Sequence, residues 1–406
     1  MRSEDFGSQS PGRLVPTEGG VDAYVPNPLP PQEEAWSSVA TMRALAKAEN
    51  ALGQLVGTAR HDLLNPHLVA APLIRREAII SSRIEGTYTT PRQLALIEAE
   101  PEKEGGKGRR IAAEDEAREV LNYVRAVEYG FTRLDTLPMS KRLMRELHEI
   151  LMKGVRGGRE RPGQFRDRQN YIAKEGDTIQ KARFVPPPVA EMEQGLDDLE
   201  KYMHRPQTDE SLPLLIDLAL VHYQFETLHP FRDGNGRIGR LMVPLILSQH
   251  GRLATPLLFV SGYLEQHKRR YMDLLLKVSK EGAWLEWIEF FLDAVGASAV
   301  DGANRAKRLL ALRQEYVSKV QSARSSALLV KLIDELFHRP SITFGEAAEL
   351  LDVTPAAANA NVRKLQEAGV LTEITGQARN MIFAAQGIFE LMHDSGDDST
   401  AESSQE

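Results

Sequence analysis

The chain predicts a mainly α-helical protein with one short β-hairpin inside the helical region and a small α+β module near its C-terminal end. Three observations predict it. Apolar residues recur at three- and four-residue spacing from Ala35 to about residue 300. Strand-like alternation is scarce before residue 370, and after Ser325 the order becomes helix, helix pair, then two β-like runs. The 406 residues, 26% charged and 42% hydrophobic, allow two or three domains with at least one full core. That composition excludes fibrous, collagen-like and wholly disordered chains. The lack of Cys excludes disulfide scaffolds, zinc ribbons, iron–sulfur clusters and thiol nucleophiles, and suits a reducing cytoplasm. A formal charge of −7 argues against a whole-protein electrostatic grip on nucleic acid. The first residues, MRSEDFGSQSPGRLVP, lack the basic-then-apolar order of a signal peptide. No apolar run approaches the roughly 20 residues of a membrane span, so the expected location is the cytoplasm with no membrane partner.

Taken in order, residues 1–33 are rich in Gly, Pro, Ser and acids and are expected to form a disordered arm. Residues 34–110 form an N-terminal helical region, with helices over 35–60 and 72–85 and a Gly/Lys/Glu-rich loop at 101–110. A core over 111–300 predicts helices near 111–131, 140–154, 188–203, 212–228, 237–250, 264–280 and 284–297. Inside it, residues 168–185 read as two short extended runs around Glu175-Gly176-Asp177, closed by Pro186-Pro187-Pro188, which makes a hairpin. A basic linker helix occupies 301–323. The module at 324–386 looks like a winged helix-turn-helix: Thr354 is an N-cap followed by Pro355 at the first helical position, and Gly369 is a C-terminal stop. Residues 387–406 form an acidic tail, expected to be disordered.

Residues 229–240 carry the chemistry: His229-Pro230-Phe231-Arg232-Asp233-Gly234-Asn235-Gly236-Arg237-Ile238-Gly239-Arg240. A long apolar helix ends at His229, because Pro230 disfavours helical backbone in the residue before it. A polar, Gly-rich loop follows, and a second helix is expected from about Arg237. Gly234 and Gly236 permit positive φ, so successive N–H groups can converge on one point. The helix N-terminus behind them adds partial positive charge, and Arg237 and Arg240 share a face at i, i+3. The result is an anion cradle suited to a polyphosphate. Asp233 is the one carboxylate in the loop, fit for Mg²⁺ beside phosphate oxygens. His229 titrates near neutrality, as a general base should.

Three other readings fail on context. Gly234-x-Gly236-x-x-Gly239 matches a dinucleotide-binding fingerprint, but that needs a strand where a helix is expected here. His148-Glu149 begins like a zinc-protease helix, yet Met152 stands where the second His would be. His222 shares a helix face with His229 without a carboxylate or thiolate in register, so it is read as packed.

The segment is similar to the signature of the Fic family, His-x-Phe-x-Asp/Glu-Gly-Asn-Gly-Arg-x-x-Arg, with every specified position present. The likeness extends to RREAIISSRIEGT at 75–87, PGQFRDRQNYI at 162–172, the FVPPP after the hairpin and SGYLEQHKRRYMDLL at 261–275. It covers most of residues 35–300, and a C-terminal winged helix resembles the arrangement in many bacterial members. The resemblance implies a Fic-type helical bundle and a protein adenylyltransferase. Such an enzyme moves AMP from ATP to a Ser, Thr or Tyr hydroxyl of a target protein, or of itself, and releases pyrophosphate. On that resemblance His229 deprotonates the hydroxyl, and Asp233 holds Mg²⁺ (or Mn²⁺) bridging the α- and β-phosphates. Gly234, Asn235 and Gly236 cradle the phosphates, with Asn235 near the α-phosphate, while Arg237 and Arg240 bind the β/γ end. Gly236, where phosphate-transferring members carry a bulkier residue, favours AMP transfer. Tyr263, His267 and Tyr271 are implied on the adenine side, with His267 standing where Asn is more usual.

Ser81-x-x-x-Glu85-Gly86 resembles the family's inhibitory motif. Ser81 and Glu85 lie one helical turn apart and Gly86 is a natural stop. A carboxylate in the last turn opposes the helix dipole by about 0.3–1 kcal/mol unless a cation compensates. The resemblance implies Arg240 as that cation, which then no longer holds the γ-phosphate, so ATP binds unproductively. Glutamate-bearing members that remove AMP leave AMP removal open as well. The 168–185 hairpin is placed like the family's flap, whose edge pairs with the target segment. For the winged helix, DNA binding would set Thr354 to Ala368 in a major groove with Arg363, Lys364 and Arg379 near phosphates. Residues 324–385 hold six basic and seven acidic side chains, which favours a protein-interaction or dimer module. The basic helix at 305–319 keeps DNA open. The alternative to an enzyme is a DNA- or protein-binding regulator with a quiescent Fic domain, and the resemblance leaves a homodimer open.

Overall fold

The computed structural model describes residues 3–18, 20–61, 67–99, 112–155, 161–174, 176–206, 212–321 and 326–393. Its helices are α1 Val39–His61, α2 His67–Ile84, α3 Pro91–Glu98, α4 Ala112–Arg133, α5 Lys141–Leu151, α6 Val189–Met203, α7 Leu214–Leu228 and α8 Asn235–Gln249. They continue with α9 Ser261–Gln266, α10 Lys268–Glu281, α11 Trp284–Val320, α12 Ser326–His338, α13 Phe344–Leu351, α14 Pro355–Glu367 and α15 Gln386–Met392. Strands β1 Gly12–Pro16 and β2 Asp22–Pro26 pair antiparallel, and β3 Ser341–Thr343, β4 Thr372–Glu373 and β5 Ile382–Ala384 form an antiparallel sheet in the order β3-β5-β4. The protein is mainly α with a small C-terminal α+β module. Among the described residues no helix is long and apolar enough to cross a membrane. The expected loop at 101–110 and the tail beyond residue 393 lie outside the described residues.

The first of two compact units comprises Met1–Gln54, Arg125–Ala254 and Leu258–Val300. Its axis is α7, whose sequence LLIDLALVHYQFETL is apolar on every side and buried at nearly every position, as a central core helix requires. Helices α6 and α8 pack on it, and α5 packs on both of those. Gly195 of α6 makes the closest approach: a Cβ there would lie 2.5 Å from Leu228.

Residues 3–33 of the expected disordered arm are instead ordered, apart from Gly19, which lies outside the described residues. Leu14 pairs with Tyr24 across β1 and β2, and the Tyr24 N–H donates to the Val185 carbonyl at 2.9 Å. Ala23, Ala182 and Val185 bury one another with Val15, Val21, Ala173 and Ile179 around them. Average composition concealed two short alternating runs whose apolar face has a partner far away in sequence.

Residues 168–185 also depart from expectation. Rather than two paired strands, their described residues hold an antiparallel bridge, Ile172 to Phe184, and a 3-10 turn at Ile179–Lys181. The second run turns on itself, Ala182 N–H to the Ile179 carbonyl, and at Val185 its backbone pairs with β2 instead. Helix α8 starts two residues before the expected Arg237, and the helix expected at 284–297 and the linker helix expected in 301–323 are one helix, α11.

The second unit comprises Leu55–Val124, Thr255–Leu257 and Asp301–Glu406. It joins α2 and α3 to the winged helix, which the sequence assigned to separate domains. Helix α12 packs along α2, and α15, expected as tail, packs on α2 and α3. Buried Arg75 of α2 forks onto both oxygens of Glu98 at 2.8 and 3.1 Å, and the Glu98 carbonyl accepts from Arg339 at 3.1 Å. Arg92 of α3 donates to the Ile374 carbonyl at the base of the wing at 2.6 Å. Within the module, Thr343 and Glu346 form a capping box for α13, and Thr354 caps α14 ahead of Pro355.

Candidate active site

His229 caps the C-terminus of α7 in the left-handed region, at φ 47°. A non-glycine residue there costs about 1 kcal/mol or more, so its surroundings must hold it. Its Nδ1 lies 3.2 Å from the Glu226 carbonyl. A carbonyl only accepts, so Nδ1 carries the proton and Nε2 is the basic nitrogen of the ring.

Six residues on, Gly234 is the N-cap of α8 at φ 79°. A Cβ at Gly234 would meet Met152 Sδ at 3.2 Å and Leu151 Cδ2 at 3.3 Å, so α5 forms the floor under the turn. Having no side chain, Gly234 gives the first turn of α8 no side-chain cap, which is what an anion-accepting helix end needs. Gly236 lies in that first turn, with helical rather than positive φ. Arg237 and Arg240 are buried on α8, Arg237 with one nitrogen 3.4 Å from Asp233 Oδ1. Asp233 is half exposed at the lip. Its Oδ1 accepts from the Gly234 N–H at 2.6 Å, and Oδ2 has no partner among the described residues. Among those residues no group of three His, Asp or Glu could hold a metal, so Asp233 would need phosphate and water oxygens to complete a coordination shell.

The side chain of Asn235 also braces the loop. Its Oδ1 accepts from the Phe231 N–H and its Nδ2 donates to the Phe231 carbonyl, both at 2.8 Å, so the amide closes the loop and keeps one Nδ2 hydrogen over.

Other donors hold the loop's remaining carbonyls, and sequence reasoning missed them. Buried Arg166 donates to the carbonyls of His229 (3.0 Å), Leu228 and Arg168 (3.4 Å each) and Pro187, while its own N–H donates to Pro230 at 2.8 Å. Burial pushes the guanidinium down to about 10, so it stays charged at neutral pH at the negative end of α7. Asn170 donates to His229 (3.3 Å) and Phe231 (3.1 Å), and His148 reaches the Asp233 carbonyl at 3.1 Å. The carbonyls of 229, 230, 231 and 233 and that of Leu228 at the end of α7 are thus engaged, which leaves N–H groups, cations and the Asp233 carboxylate.

On the expected adenine side, the rings of Tyr263 and His267 pack at a tilt, with centroids 4.4 Å apart and planes 57° from parallel. His267 is exposed and, with Gln266, Arg270 and Leu274, lines a cavity of about 470 Å³. Tyr271 is a core residue instead, 2% exposed. Its hydroxyl lies 2.8 Å from His222 Nε2, and His222 Nδ1 lies 3.2 Å from the Gly239 carbonyl. The carbonyl fixes the proton on Nδ1, so Tyr271 donates to Nε2 and acts on α8 through His222, a packed histidine whose burial pushes it down to about 3.

Ser81, Glu85 and Gly86 belong to the second unit. Ser81 is buried, whereas Glu85 is exposed just past the end of α2. Gly86 at φ 90° ends the helix in a Schellman arrangement: Thr87 N–H to the Ser82 carbonyl and Gly86 N–H to the Arg83 carbonyl, 3.0 Å each. In the winged helix, Arg363 lies 5.5 Å over both Phe344 and Phe383 and donates to Gln366, contacts within its own module.

An α-helical domain built around this loop, with an N-terminal helical region and a winged helix, defines a class. The Fic/DOC family model matches residues 138–247, the Fic/DOC N-terminal model residues 42–132, and a winged helix-turn-helix DNA-binding model residues 326–372. The chain is a Fic protein with a winged-helix C-terminus. It is 28% identical over 131 residues to the protein adenylyltransferase Fic of Aedes aegypti, covering 32% of this chain and 23% of that protein. With the Drosophila grimshawi counterpart it shares 26% over 180 residues, 44% of this chain and 33% of the other. A probable protein adenylyltransferase of Aquifex aeolicus is 33% identical over 72 residues, 18% and 22% of the two chains. The matches thus span a third or less of these curated relatives. A solved Fic family protein from Desulfovibrio desulfuricans shares the fold, with a TM-score of 0.54 over 88% of this chain and 98% of that one at 18% identity.

Proposed function

We propose that the chain is a protein adenylyltransferase. His229 Nε2 takes the proton of a Ser, Thr or Tyr hydroxyl, the oxygen bonds to the α-phosphorus of ATP, and the bond to the β-phosphate bridge breaks to release pyrophosphate. The observation that carries this reading is the pairing of a histidine committed to the Nδ1–H tautomer with an adjoining helix N-terminus whose loop carbonyls at 229, 230, 231 and 233 are engaged elsewhere. Backbone N–H groups of 234–236 and the cations Arg237 and Arg240 hold the phosphates. A bound Mg²⁺ or Mn²⁺ would neutralise phosphate charge, and Asp233 is the residue that fits it. The 168–185 segment receives the target.

Glu85 restrains the reaction by competing for Arg240. The Ser81-x-x-x-Glu85-Gly86 motif, with Glu85 one turn after Ser81 at the Gly86 stop, supports that role. Incubation with ATP labelled at either the α- or the γ-phosphate tests both parts. Label reaches protein from the α position only, increases in Glu85→Gly and disappears in His229→Ala. Label from γ, or none in either wild type or Glu85→Gly, would sink the reading.

A further inference from the structure

We infer that His148 of α5 is the positioning residue that sets the peptide between Asp233 and Gly234, and with it the lip of the phosphate cradle. The imidazole is 2% exposed and lies flat on Phe231, with ring centroids 3.9 Å apart and planes 6° from parallel. Its Nδ1 faces the Gly163 N–H at 3.0 Å, and an N–H can only donate. The ring proton therefore sits on Nε2, which donates to the Asp233 carbonyl at 3.1 Å. One neutral ring thus ties together two loops that are far apart in sequence, by backbone bonds at both ends. Phe or Leu could fill the volume, but neither could make either bond.

The consequence follows from peptide planarity. In a trans peptide the carbonyl and the next N–H point in opposite directions. Holding the Asp233 carbonyl toward His148 therefore aims the Gly234 N–H away from it, where it meets Asp233 Oδ1 at 2.6 Å. One bond orients the carboxylate and the N-cap of α8 together. Gly234 packs over the same ring, its absent Cβ 3.5 Å from His148 Cδ2. His148 touches no reacting atom in this scheme; it acts through Asp233 and Gly234.

The inference rests on the AMP-transfer reading for its kinetic test, and a second measurement is independent of it. In His148→Gln the amide nitrogen reaches the Nε2 position and keeps the Asp233 bond. His148→Asn keeps only an acceptor near Nδ1, and His148→Phe keeps only the stack on Phe231. With α-labelled ATP, kcat is expected to fall roughly 10–100-fold in the Asn and Phe variants and to stay within about threefold in Gln. The Mg²⁺ concentration for half-maximal transfer should rise in the same two variants. Hydrogen exchange of amides 229–238, followed by mass spectrometry, should quicken in Asn and Phe and not in Gln. Equal exchange and equal rates in Gln and Asn, or a wild-type rate in Phe, overturn the assignment. If neither wild type nor Glu85→Gly transfers label, the activity reading fails while the exchange pattern still decides the role of His148.

Discussion

Two buried histidines brace the loop as neutral rings, and that neutrality has a measurable price in acid. Burial pushes His148 down to about 4 and His222 to about 3, from an ordinary 6.5. Between those values the unfolded chain binds a proton that the folded chain refuses, so stability rises with pH across the window. The contribution is full above pH 6.5 and is lost as pH falls toward 4, amounting to about 3 kcal/mol for His148. Urea unfolding from pH 7 to 4.5 should therefore show stability dropping steeply in wild type and less steeply in His148→Phe, whatever the variant's starting stability. Parallel slopes would mean that His148 is not held neutral. The sequence displayed His148 beside Glu149, with Met152 where zinc-helix spacing would need a second His. Spacing cannot find its true partners, because Gly163 and Asp233 lie on separate loops. The reading of His222 as packed needed only the absence of local ligands, and it agrees with the structure.

At the level of elements, the junction of α7 and α8 is a problem in carbonyl bookkeeping. The last carbonyls of α7 have no helical partner, and Arg166 gathers them from the side. A guanidinium spreads its donors over a plane, so one residue can serve Leu228, His229, Pro187 and Arg168, whereas an ammonium presents three donors at one point. Arg166→Lys should lower stability by about 2 kcal/mol in urea unfolding and also slow AMP transfer, because His229 loses its support. An unchanged unfolding midpoint would show that water replaces the missing donors. This junction was largely legible: Pro230 marked the end of α7, and the Gly-rich run marked the start of α8. The two-residue error at Arg237 has a specific cause, since the Asn235 amide clasps Phe231 and lets the helix begin under it. The β1–β2 pair was not legible, because Gly- and Pro-rich segments carry a disorder signal that only a distant apolar partner can override. Likewise the 168–185 runs looked like a hairpin, and the competing edge was β2.

For the molecule as a whole, the change of pattern at Ser325 showed that a new module begins, but local periodicity cannot say what that module packs against. It packs on α2. That helix is buried at every position from 69 to 82, more than an amphipathic surface helix allows, and α12 covers part of it with Leu329, Leu332, Ile333 and Leu336 all buried. Arg76 of α2 also pairs with Asp301 at 3.4 Å, and Arg305 binds Asp301 together with the carbonyls that end α15. The winged helix is therefore part of the support of the helix that carries Ser81 and Glu85. Removing residues 321–406 should lower Tm and quicken hydrogen exchange throughout 67–84, because apolar surface on α2 passes from α12 to water. If Glu85 restrains transfer, the shortened chain should also label itself faster, approaching Glu85→Gly. A shortened chain with unchanged protection of α2 would show that the module is only tethered there, and its partners would then have no purchase on the brake.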